Sequence, residues 1–166
     1  MLKNIFLFLF IGLILSCSEA NIFIPDGEIV YKPIAACENG FADQYPCNDY
    51  DLLTYFSLEE LGGLNTKGND SWGWTDPLTS KEYALMGINS GVVFIDITNP
   101  ADALILGTLA TSTVSSSWRD IKVHNNFAYI VSEASSHGMQ VFDLKKLRTV
   151  TNPPEEFTAD THFTAF

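Results

Sequence analysis

Basic residues are scarce in this chain: nine Lys and Arg stand against 20 Asp and Glu, for a formal charge of −11. So acidic a surface repels nucleic-acid phosphates and anionic headgroups, which excludes nucleic acid as an expected partner. No apolar run is long enough to span a bilayer as a helix, which takes about 20 residues; the run from Ile5 to Leu15 falls well short. The motifs that announce chemistry locally are missing as well. There is no Gly-x-Gly-x-x-Gly, no phosphate loop, no His-Glu-x-x-His, no EF-hand spacing and no Cys-His pairing for thiol catalysis. Gly87-Ile88-Asn89-Ser90-Gly91 has its Ser one position too late for a nucleophile elbow and no helix after it, so it reads as a hairpin turn.

What is present begins at the N-terminus. Lys3, the apolar run and Ser16-Cys17 have the layout of a secretory signal. The tetrad Ile14-Leu15-Ser16-Cys17 resembles a lipobox, where bacterial lipoproteins are cut and lipidated. Cys17 is therefore expected to hold outer-membrane lipid, several acyl chains giving lasting attachment at about 0.8 kcal/mol per buried methylene. Cys37 and Cys47 then remain, and an exported chain favours joining them as a disulfide. Closing so short a loop contributes on the order of 2 to 4 kcal/mol. A metal site is the competing reading of these cysteines, although no ligands at zinc spacing surround them.

Residues 1–16 are read as signal peptide, 17–35 as a tether with a turn at Pro25-Asp26-Gly27 and a short strand around Glu28 to Tyr31, and 36–69 as the Cys-bracketed loop plus a short helix. Ser57 and Glu60 stand at capping-box spacing, and Gly62-Gly63 ends that helix. From Asp70 onward, short β-branched and aromatic runs alternate with Gly, Asn, Pro and Asp, the texture of an all-β sheet stack. Strands are expected at Ser71–Trp74, Glu82–Ile88, Val92–Ile97 and Ala103–Leu109, then at Trp118–His124, Phe127–Glu133 and Met139–Leu144.

The two groups of strands repeat. Trp72 and Trp118 match at nearly the offset that relates Gly91 to Gly138 and Asp96 to Asp143, a spacing near that of propeller blades. A sandwich of similar hairpins also accommodates two copies. Val93-Phe94-Ile95-Asp96-Ile97 and Gln140-Val141-Phe142-Asp143-Leu144 look like the LVIVD repeat. Together with Cys37-Glu38-Asn39-Gly40, Trp72-Gly73-Trp74-Thr75-Asp76-Pro77 and Trp118-Arg119-Asp120-Ile121-Lys122-Val123, they make residues 36 to 166 resemble the choice-of-anchor B family. That resemblance implies a β-propeller-like fold of four-stranded repeats on an exported bacterial surface or outer-membrane protein. Two blades are fewer than the four to eight that close a propeller, so residues 70–166 are expected to be the first blades of a truncated array.

Asp96 and Asp143 are expected to accept amide hydrogen bonds in the turns after their strands, with a calcium or magnesium ligand as the alternative. Trp72, Trp74 and Trp118, with Tyr83 and Phe94, suggest an aromatic surface for a glycan or peptide. Trp72 and Trp118, at the repeated position, are expected in the core, and Trp74, taken to face the other side of its strand, is the exposed-contact candidate. His137, Asp76, Asp160 and His162 are candidates to meet at one end of the sheets. The expected function is a surface-displayed binding module with an unidentified protein or glycan ligand, no catalytic residues and no required cofactor; the alternative is a metal-assisted hydrolase or lyase with its site in the propeller channel.

Overall fold

The computed structural model describes residues 22–23 and 29–164. The expected signal segment, residues 1–16, and Cys17 lie outside the described residues. Strands β1 (Ile22–Phe23) and β2 (Ile29–Val30) form an antiparallel ribbon in a small unit that ends at Val30. The expected strand at Glu28 to Tyr31 is found over Ile29–Val30, and Glu28 lies outside the described residues.

The second unit begins at Tyr31 and carries the Cys-bracketed loop near its start. Cys37 and Cys47 are joined by a disulfide with their Cα atoms 5.9 Å apart, so the metal alternative for these thiols is set aside. Inside it, β3 (Phe41–Ala42) and β4 (Tyr45–Pro46) pair across a tight turn. Asp51 Oδ1 accepts from the Cys37 amide at 2.8 Å and anchors the loop. The short helix α1 (Leu58–Gly62) carries the full capping box: Ser57 Oγ takes the Glu60 amide, and the Glu60 carboxylate takes the Ser57 amide at 2.7 Å.

Two larger sheets follow. β5 (Gly68–Thr75), β6 (Glu82–Ile88), β7 (Gly91–Asp96) and β8 (Leu104–Ala110) form an antiparallel meander. β9 (Arg119–His124), β10 (Phe127–Ser132) and β11 (Met139–Asp143) form a second one. Asn125 and Asn126 make the two-residue turn between β9 and β10, both with positive φ, as a hairpin twisted like its strands requires. Two three-residue strands complete the sheets in a crossed order. β12 (Glu155–Phe157) returns to pair in parallel with β8, and β13 (Thr161–Phe163) pairs antiparallel with β11. The sheets therefore run β12-β8-β7-β6-β5 and β13-β11-β10-β9, both open. The all-β expectation holds, and the seven strands read from the sequence sit within a few residues of their places.

β6 and β7 divide their side chains between two cores, as period-two strands must. Tyr83, Leu85, Val92 and Phe94 face the second sheet, where they meet Ile121, Ala128, Ile130, Phe142 and Leu144. At its centre Phe94 stacks on Phe142 at 4.7 Å and Phe157 closes on both. Ile88, Val93 and Ile95 face the other way and are covered by Leu61 of α1 and by Phe56. Both faces of the first sheet are thus buried, in keeping with its unbroken Val92-Val93-Phe94-Ile95 run.

Strand register changes the alignment expected between the two groups of strands. Asp96 lies opposite Tyr83, which lies opposite Trp74. Asp143 lies opposite Phe127, which lies opposite His124. The counterpart of Trp74 is therefore His124, and that of Trp72 is Lys122; Trp118 stands before β9. A single offset fails because the turns exchange lengths: 76–81 is long where 125–126 is short, and 89–90 is short where 133–138 is long.

Candidate functional site

The tryptophans are exchanged relative to expectation. Trp74 is 6% exposed, stacks on Tyr83 at 5.1 Å and donates from Nε1 to Asn126 Oδ1 at 3.2 Å. Trp72 and Trp118 are 41% and 64% exposed. Residues two apart on a strand share a face, so Trp72 and Trp74 point the same way. Depth separates them: Trp74 reaches the core between the sheets, whereas Trp72 lies under the Lys122 ammonium, 4.5 Å from its ring centre.

Asp76 is not available to a ligand. Fully buried, it takes the Leu78 amide, the Thr79 hydroxyl and two hydrogen bonds from the Arg148 guanidinium. Arg148 holds its carboxyl far below the usual range. This pair fastens the β5–β6 turn to the 3-10 segment Leu144–Thr149. Asp96 accepts from the Thr98 amide and Asp143 from the Lys145 amide, each at 3.0 Å, and each also meets a lysine, Lys81 or Lys145. Asp160 takes the Asp143 amide and the Lys146 ammonium, both at 2.7 Å. Gly91 and Gly138 sit where a side chain would collide with the neighbouring strand, at Leu109 O and Phe163 O.

His137 and His162 do come together, at the end of β5 opposite Asp76. The His162 Nε2 donates to the His137 carbonyl at 2.5 Å, and the two rings are 6.3 Å apart. His137 is buried, its Nδ1 directed at the Gly138 carbonyl and its Nε2 at Arg119 Nη1, 3.1 Å away. A carbonyl and a guanidinium settle the tautomer: Nδ1 carries the proton and Nε2 accepts. Burial lowers the His137 pKa, and the Arg119 charge adds to the effect. Both nitrogens are thereby occupied by partners within the second meander. Arg119 also donates from Nε to Ile88 O, and Gln140 donates to Ala110 O, so this polar seam spans both sheets. Arg119 and Gln140 were missed in the sequence, although Arg119, Ile121 and Val123 alternate as one inward face; His137 was a candidate there.

Among the described residues, no three His, Cys, Asp or Glu side chains are grouped to hold a metal ion. No described helix is long and apolar enough to cross a membrane. Comparison with family models, curated proteins and solved structures finds no match.

The outward face of the second sheet is different in kind. Phe127, Tyr129, Val131, Met139 and Val141 lie on it by register, together with Lys122 and Asp120 of β9 and Phe163 of β13. Val131, Phe163 and Trp118 are exposed. A cleft of about 340 Å³ opens at one corner, with Trp118, Arg119, Asp120, Val131, Ser132 and Glu133 among its lining residues. The Trp118 backbone is fixed there, its carbonyl accepting from Ser132 Oγ and the Glu133 amide. By register this face is the counterpart of the first sheet's Tyr83, Leu85 and Phe94 face, which the second sheet covers.

Proposed function

We propose that this chain forms a propeller-like stack of sheets on an exported bacterial lipoprotein, and that the stack serves as a surface-displayed binding module. The supporting observation is the equivalence of faces. The Asp96 side of the first sheet is covered by the second sheet, and the corresponding Asp143 side of the second leaves Val131 and Phe163 exposed and Phe127, Tyr129 and Met139 half-buried. Repetition of one packing step puts a further sheet, built like β9–β11, on that open face. The two meanders, each with its Asp-ended third strand, fit the resemblance to the choice-of-anchor B family, and a Cys37–Cys47 disulfide fits an exported protein. Attachment runs through lipid on Cys17, and the ligand is a protein or glycan meeting the loops at the sheet ends.

Two measurements test this reading. Expression of the full chain in a Gram-negative host with radiolabelled palmitate gives a labelled, membrane-bound product, and Cys17→Ser gives an unlabelled one. An unlabelled wild-type protein in the soluble fraction defeats the anchor. For the open face, Val131→Glu reduces binding of a hydrophobic dye to the purified protein with little change in stability. A large loss of stability with unchanged dye binding would mean that the face is already covered.

A further inference from the structure

Trp118 leaves most of its indole in water, yet its main chain is tied down on both sides. Its amide donates to Ser116 Oγ at 3.1 Å, and its carbonyl accepts from Ser132 Oγ at 2.9 Å and from the Glu133 amide at 3.2 Å. Ser132 Oγ also accepts the Ala134 amide, so one hydroxyl braces the start of β9 against the end of β10. An exposed indole forgoes the free energy that burial would give it, and here the backbone beneath it is held still. Tryptophan in such a setting is a characteristic anchor of binding surfaces.

The indole belongs to the wall of the cleft of about 340 Å³. That volume lies at the small end of the range for ligand sites, roughly 300 to 1,000 Å³. Val131, itself exposed, extends the apolar wall, while Asn69 and Glu133 line it with polar groups that have capacity to spare. Asn69 Nδ2 donates to the Arg119 carbonyl at 2.6 Å, which orients the amide and leaves Oδ1 as an unspent acceptor among the described residues. The Glu133 carboxylate has neither a hydrogen bond nor an ion pair among the described residues.

Charges at the cleft oppose one another. Asp120 is paired with Lys122 at 2.6 Å. Glu133 shares the lining with Arg119, whose guanidinium meets only the uncharged Ile88 carbonyl and His137. A cation entering there faces Arg119 and Lys122, and an anion faces Glu133 and Asp120, so neither sign is selected. What fits is a neutral molecule with a flat apolar face for the indole and hydroxyl groups at its rim for Glu133 and Asn69. A pyranose ring has both, C–H bonds on one face and hydroxyls around the edge.

We propose that the Trp118 cleft binds a neutral saccharide unit, its ring stacked on the indole and its hydroxyls donating to the Glu133 carboxylate and to Asn69 Oδ1. This rests on the reading of the chain as a displayed binding module and gives that module a site and a ligand class.

The test is saturation-transfer NMR on the purified full chain with glucose, mannose, galactose, N-acetylglucosamine, cellobiose and chitobiose in turn. Acetyl-arginine amide and sodium acetate serve as the charged comparisons. Irradiation of the aromatic protons passes saturation to the ring C–H protons of at least one saccharide, and that signal saturates on titration. Trp118→Ala barely alters stability and lowers the affinity at least tenfold, whereas Trp118→Phe keeps a platform and lowers it about threefold. Glu133→Gln lowers it about tenfold, as loss of a charged acceptor does. Absence of saturable transfer to every one of these sugars overturns the proposal, as does equal affinity in wild type and Trp118→Ala, or preference for the arginine derivative or acetate. A chain that takes up palmitate and stays membrane-bound yet binds no saccharide overturns this inference alone; one that binds a saccharide through Trp118 without taking up palmitate supports it and overturns the anchor alone.

Discussion

Trp74→Ala tests the packing between the sheets most directly. The indole is 6% exposed, and an aromatic side chain of this size buries on the order of 200 Å². At about 25 cal/mol per Å² its transfer contributes about 5 kcal/mol as an upper bound, because the unfolded chain already shields part of that area. Mutations of this type cost about 3–5 kcal/mol. The stack on Tyr83 and the Nε1 hydrogen bond to Asn126 place Trp74 in the middle of that range, at about 4 kcal/mol. Trp74→Phe keeps a ring and loses the donor, so it costs about 1–2 kcal/mol, and a double-mutant cycle with Asn126→Ala isolates roughly 1 kcal/mol for the pair. Trp118→Ala, at an exposed position, changes stability by less than about 0.5 kcal/mol. Urea unfolding followed by far-ultraviolet circular dichroism measures all of these variants without relying on indole fluorescence. A cost below 1 kcal/mol for Trp74→Ala with more than 2 kcal/mol for Trp118→Ala would refute the packing and restore the arrangement first expected from the repeats.

Three further outcomes follow from the same structure. His137 has a folded pKa below its ordinary value, so its neutral form stabilises the fold above the unfolded value near 6.5. That stability is lost as pH falls from 6.5 through the folded pKa, and a thermal-midpoint profile between pH 7 and 5 is flatter in His137→Gln; parallel profiles would contradict the seam. Opening the disulfide with Cys37→Ser and Cys47→Ser releases a loop of separation 10, which corresponds to about 2.7 kcal/mol of chain entropy; unchanged protease resistance of residues 37–47 would argue against that constraint. Gly138→Ala puts a methyl group into the Phe163 carbonyl at a φ of 64°, costs about 2 kcal/mol or more, and frees β13; hydrogen exchange reads this as lost protection at Phe163, and retained protection speaks against the pairing.

The strands with sustained alternation were legible. Glu82–Ile88 was read residue for residue, and Asn125-Asn126 announced its turn because two positive φ values call for such residues. The capping box at Ser57 was equally plain. β12 and β13 escaped because three residues show no period, and Glu155-Glu156-Phe157 carries two residues that disfavour strands. The Trp72–Trp118 match misled because sequence offset counts turn residues, whereas register counts only paired ones. Arg148 gave no local sign of reaching Asp76, since that pair joins residues far apart in the chain. Arg119 was within reach, because strand alternation with Ile121 and Val123 puts a charge on an apolar face, and a charge so placed marks a special site.

The return of residues 155–157 to β8 bears on how the protein is made. On a ribosome the first meander emerges with β8 as its outermost strand, and Gly107 waits there without its partner Glu155 while the whole second meander is synthesised. A free strand edge of that kind invites pairing with other chains, and contacts so distant in sequence form late. The nascent chain is thus most vulnerable to misassembly in the interval before Phe157 appears, and a slow stretch of translation within 111–154 lengthens that exposure.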